Sequence, residues 1–166
     1  ALELVLPWAE QAAGAIARYA LHVGTGFQVL NDLKDWCGDL ENDRRAAGDL
    51  LGGRPTVMWA LALERLSGAA MDRLAALAGE AARAADQAQV TKALAEARAL
   101  YQQADVFERA AAIVEEQRCL AAAAAATCGT GRLRDVLEFL LDLAVPEQAA
   151  AQYGGLSDQG RAPHAG

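Results

Sequence analysis

The chain has 166 residues, is rich in alanine, and holds only 5% aromatics and 4 prolines, a balance that predicts an all-α fold in one domain with a sizeable core. Its net charge of −7 argues against nucleic acid and anionic membranes as partners, since both need clustered Lys and Arg. No apolar run reaches about 20 residues without a charge, so no transmembrane helix is expected.

From the N-terminus, Ala1–Leu6 is a short apolar start without a basic flank, so no secretory signal is expected. Pro7 suits a first helical position. Apolar residues then recur at helical spacing and predict one long helix over about 8–37, interrupted by Gly24 and Gly26. Two glycines so close within a helix suggest a close approach by another helix or a ligand. Gly38 to Pro55, rich in Gly, Asp, Asn and Arg, reads as a loop. Helices are expected at about 56–66, 70–84, 87–102, 103–128 and 132–144, with breaks at Ser67-Gly68 and at Gly129 and Gly131. The apolar face of 103–128 is expected to include Val106, Phe107, Ile113, Val114 and Leu120. That of 132–144 reads Leu133, Val136, Leu137, Leu140, Leu141 and Leu143, a strong amphipathic stripe. The helical domain is taken as 1–146, and 147–166, rich in Ala, Gln, Gly and Ser, as a flexible tail.

Three cysteines, Cys37, Cys119 and Cys128, lack metal-site spacing, and an odd count predicts reduced thiols and a cytoplasmic location. Cys119 and Cys128 are expected to be small core residues. His22 and His164 have no nucleophile paired with them, Lys34 reads as an exposed helix residue, and Trp8, Trp36 and Trp59 as core. Glu115 and Glu116 with Arg109 and Arg118 read as a solvated face with spaced ion pairs.

The chemistry-bearing stretch closes the first helix. At about 100° per residue, Asn31 and Asp35 stack on one face with Asp32 beside them, a surface of oxygen acceptors only. Magnesium takes such hard ligands, usually one or two carboxylates completed by waters and phosphate oxygens. Arg44, Arg45 and Arg54 follow in the loop, and guanidinium forks suit phosphate oxygens.

Gly26-Phe27-Gln28, Asn31-Asp32 with Asp35, Gly48-Asp49, and Gly53-Arg54 with Thr56 together resemble the second aspartate-rich region of trans-isoprenyl diphosphate synthases, the polyprenyl synthetases such as geranylgeranyl diphosphate synthase. The match is specific over about residues 20–62. The resemblance implies the C-terminal helices of an isoprenoid-synthase-type bundle, acting with Mg2+ on an allylic diphosphate and isopentenyl diphosphate. It implies that Asp32, Asp35 and Gln28 serve catalysis, with Asn31, Asp32 and Asp35 at the metal. Phe27, Gln28, Arg44, Arg45 and Arg54 would meet the substrate, the arginines standing where the family has lysines.

The departures from that pattern are specific. Asn31 replaces the aspartate that usually opens the motif, and nothing matches the family's first aspartate-rich motif or its following arginine pair. The chain is therefore expected to supply about half of a site, in a homo- or hetero-oligomer, with a partner chain carrying the first motif. Two rivals remain. Asn31, Asp35 and Asp39 fall at the spacing of the class I terpene synthase metal motif, and a catalytically incomplete subunit paired with an active synthase would carry the same departures.

Overall fold

The computed structural model describes residues 2–37, 47–128, 131–149 and 151–154, and these are all-α, without a strand among them. In chain order the helices are α1 (Leu2–Asp35), α2 (Gly48–Leu51), α3 (Val57–Arg65), α4 (Ala69–Arg83), α5 (Gln87–Gln103), α6 (Val106–Ala126), α7 (Arg132–Ala144) and α8 (Ala151–Gly154). Asp39, Arg44, Arg45, His164 and the tail beyond Gly154 lie outside the described residues. No helix of the described residues is long and apolar enough to cross a membrane.

Helix boundaries follow local chemistry. Thr56, in extended backbone, caps α3 by accepting from the Trp59 amide at 3.3 Å, and Asp86 caps α5 by accepting from Gln89 at 2.8 Å. Between α5 and α6 the chain turns at Asp105, whose φ of 51° is a left-handed conformation that aspartate tolerates. The first helix starts earlier than its sequence pattern indicates. Pro7 lies inside α1 rather than at its first position, because the alanine- and leucine-rich flanks extend the helix back to Leu2.

The residues form two compact units, Ala1–Leu30 with Ala112–Ala150, and Asn31–Ala111 with Ala151–Gly166. In the first unit, Ala15, Tyr19, Val114, Ala121, Ala125, Leu137 and Leu141 make the core. The Tyr19 hydroxyl donates to the Leu137 carbonyl at 2.6 Å, fixing α1 to α7. Arg118 donates to the Val145 carbonyl and pairs with Asp142 at 2.5 Å, so it ties α6 to the end of α7 instead of pairing with Glu115 or Glu116 along its own helix. Gly26 is a genuine close approach: a Cβ there would sit 3.3 Å from Gln117 Cβ. Gly24 has open space around it and needs no glycine on that ground. His22 Nδ1 lies 2.8 Å from Gln117 Oε1.

Two other expectations on these helices fail. Cys119 is exposed, as is Leu120; only Cys128 joins the core, its thiol directed at the Ala124 carbonyl. The reason is rotational: Val114, Ala121 and Ala125 occupy the inward face of α6, which turns 119 and 120 outward.

The second unit is built on a ring cluster. Trp36, Tyr101 and Phe107 have centroids 4.9–6.0 Å apart in tilted and edge-on arrangements, and Leu33, Met58, Leu74 and Leu77 are buried in the same unit. Arg98 lies over the Trp36 ring at 5.9 Å and donates to its carbonyl. Helices α4 and α5 pair through Arg73, which makes a two-pronged contact to Glu96 at 2.6 and 2.8 Å and a further one to Glu80 at 2.6 Å.

Candidate functional site

The last turn of α1 brings two carboxylates against the segment that follows it. Asp32, only 5% exposed, accepts from the Val57 amide at 2.8 Å. That amide is the first of α3, one of the four that a helix start leaves unpaired, so Asp32 and Thr56 together cap α3. One turn on, Asp35 Oδ2 accepts from the Asp49 amide at 3.0 Å, and its backbone carbonyl accepts from Ala47 at 2.7 Å. Gly48 is pressed so close that a Cβ there would lie 3.2 Å from Asp35 Oδ1. Two carboxylates thus hold the two ends of residues 49–57, which lead into α3.

Asp32, Asp35, Asp49, Arg54 and Thr56 form the polar lining of one cleft. Trp36, Trp59, Tyr101 and Leu50 form its apolar floor, and the cleft encloses only about 10 Å³, room for about one water. Arg54 closes the rim through an ion pair to Asp49 at 3.1 Å, with its side chain 75% exposed. An exposed pair of this kind contributes roughly 0–1 kcal/mol, so Arg54 can turn to a polyanion at little cost. Gly53, at φ 64°, supplies the left-handed turn that delivers Arg54 to this position.

The electrostatics are uneven. Burial raises the pKa of Asp35; hydrogen bonds from the Asp49 and Gly48 amides oppose that, while the charges of Asp49 and Asp32 add to it. A cation at the cleft would offset the repulsion from the Asp49 and Asp32 charges. Tyr101, whose hydroxyl is buried, has its pKa raised by desolvation and stays neutral.

Of the residues singled out in the sequence, Asp32, Asp35 and Arg54 meet at this cleft. Asn31 is half-buried on the same helical turn. Phe27 and Gln28 belong to the first unit, where both are exposed. Trp59, read as core from the sequence, lines this cleft instead, and so do Asp49 and Tyr101; Asp49 carries a signal in the sequence, in Gly48-Asp49, but Tyr101 carries none. Among the described residues no group of three or more His, Cys, Asp or Glu is arranged to hold a metal ion. Two carboxylates that each hold a backbone amide do not make a cage for a resident magnesium ion.

In comparisons with protein-family models, with curated proteins and with solved structures, nothing matches this chain.

Proposed function

We infer that the chain is a prenyltransferase component, presenting one wall of a diphosphate site for the condensation of an allylic diphosphate with isopentenyl diphosphate. The observation that carries this reading is the meeting of Asp32, Asp35 and Arg54 at one cleft, in the spacing that resembles the second aspartate-rich region of polyprenyl synthetases. The allylic diphosphate is taken as its magnesium salt, in which the ion neutralises charge on the leaving group.

The chain's own residues have distinct tasks. Arg54 leaves Asp49 and binds a phosphate oxygen at the rim. Asp35 faces the incoming cation with its carboxylate already fixed by the Asp49 amide. Asp32 is a positioning residue, since it holds the start of α3 and with it the segment that carries Arg54. The small enclosed volume keeps the diphosphate at the cleft's edge, where a second wall from another chain can meet it.

The test is turnover. The chain is mixed with magnesium, a C10 allylic diphosphate and isopentenyl diphosphate, alone and with a synthase chain carrying an Asp-rich motif, and products are read by mass spectrometry. Longer prenyl diphosphates in the mixture, lost on Arg54→Ala, support the reading. No increase over the partner chain alone contradicts it.

A second reading is favoured by one observation: the cleft's carboxylates are already tied to backbone amides, so the segment is held without any ligand. On this reading the chain is a non-catalytic partner subunit. It then raises or redirects a partner synthase's activity equally well with Arg54→Ala, and the wild-type and variant chains separate the two readings.

A further inference from the structure

The second compact unit holds a further cavity of about 400 Å³, within the range of small-molecule pockets. Trp36 from the end of α1, Ala47 and Leu51 around α2, and Val90 and Leu94 on α5 give it apolar walls, and Arg98 is the one charged residue in its lining. Trp36 alone is shared with the candidate diphosphate cleft. The α5 wall runs from Gln87 to Arg98 in steps of three and four residues, along one helical face about 16 Å long. That shape suits an extended chain better than a compact ring.

Arg98 marks what the head of such a chain must be. It is half-buried and held twice: its guanidinium lies 5.9 Å from the Trp36 ring centroid, and Nη2 donates to the Trp36 carbonyl at 2.5 Å. Its other N–H groups have no protein partner among the described residues. The ion pairs of those residues use Arg54, Arg65, Arg73, Arg118 and Arg134, which leaves the Arg98 charge without a carboxylate. A cation held against apolar walls favours an anion that brings its own apolar surface. One guanidinium fork matches the two oxygens of one carboxylate. A diphosphate carries more charge than this lining neutralises.

We propose that this cavity binds a medium-chain fatty carboxylate, with its head on Arg98 and its tail along α5 past Leu94 and Val90. The occupant is a free carboxylate and not a bilayer, since the net charge of −7 opposes an anionic lipid surface. Because Asp32, Asp35 and Arg54 take no part, the proposal is independent of the prenyl-transfer reading.

Calorimetric titration of the full chain with decanoate, below its micelle-forming concentration, tests this. The expected result is saturable binding of one decanoate per chain. Each methylene removed from water strengthens binding about fourfold, so hexanoate, with its shorter tail, should bind more weakly by about tenfold or more. Arg98→Met keeps an apolar stem without the charge. It should weaken decanoate about tenfold or more and leave decanol, the same tail without a charge, unchanged. Leu94→Asp should weaken both. Helicity by circular dichroism confirms that the variants fold. Should Arg98→Met not fold, Thr91→Glu replaces it, a like charge at an exposed lining position that opposes decanoate but not decanol. Four results overturn the proposal: no saturable binding, decanoate binding unchanged by Arg98→Met or its replacement, several molecules per chain indifferent to Leu94→Asp, or inorganic diphosphate displacing decanoate at lower concentration.

Discussion

Asp32 Oδ2 accepts a hydrogen bond from the Val57 amide at 2.8 Å, joining the last turn of α1 to the first residue of α3 across 25 positions of sequence. The contact makes Asp32 a buried cap as well as a member of the candidate site. Asp32→Ala leaves that amide without its acceptor and is expected to cost about 1–3 kcal/mol in urea unfolding. Asp32→Asn keeps an acceptor oxygen and should lose less. Equal losses from the two would contradict the capping role.

Asp35 gives a pH signature. Its pKa is raised from the ordinary 3.8, first by burial, so the folded state holds its proton more tightly than the unfolded chain. Below about 3.8 both states are protonated and this group has no effect. As pH rises through the interval between that value and the raised one, its contribution to stability falls, and above the interval the loss is constant. Asp35→Asn should remove this falling component from the pH dependence of urea unfolding while leaving stability near pH 7 the same or higher. A clear loss of stability at pH 7 would contradict the assignment.

The two glycines of α1 should separate cleanly. Gly24 has no heavy atom within 4 Å of a built Cβ, so Gly24→Ala is expected to stabilise by about 0.5–1 kcal/mol through helix propensity. At Gly26 a side chain meets Gln117 Cβ and Val145 Cγ2, and Gly26→Leu should destabilise by about 1–3 kcal/mol. Thermal midpoints of the two variants check this, and shifts in the same direction would contradict the α1–α6 approach.

Within the first unit, the buried Tyr19 hydroxyl holds the Leu137 carbonyl at 2.6 Å. Tyr19→Phe preserves the ring and removes one hydrogen bond, for an expected loss of about 1 kcal/mol in chemical unfolding. An unchanged unfolding midpoint would mean that the hydroxyl finds equivalent partners in water.

Much of the helical plan was legible because it rests on local signals. Thr56 and Asp86 announce their helices as caps, Gly68 and Gly131 mark breaks, and the expected boundaries from α3 to α7 lie within a few residues of those found. The start of α1 is not legible from Pro7 alone, because a helix-forming flank carries the helix back to Leu2. Which face of a helix is covered was less legible. Periodicity gives α7 one wide stripe, but only the neighbouring elements decide that Leu137 and Leu141 are inside and Leu133, Val136 and Leu143 are not. The same holds at the candidate site. The spacing of Asn31, Asp32 and Asp35 marks a polar face, but not that Asp32 reaches Val57 and Asp35 reaches Asp49. Those contacts depend on the path of residues 47–57, including a left-handed Ala47 at φ 57° that no glycine or asparagine signals.

The central claim is that this cleft receives a magnesium-bound allylic diphosphate, and calorimetric titration of the chain with a C10 allylic diphosphate, with and without magnesium, tests it most directly. The account predicts binding that requires magnesium and weakens about tenfold or more in Arg54→Ala and in Asp35→Asn, two changes that leave the helical fold intact. Binding that ignores magnesium, or that both variants retain unchanged, would contradict it.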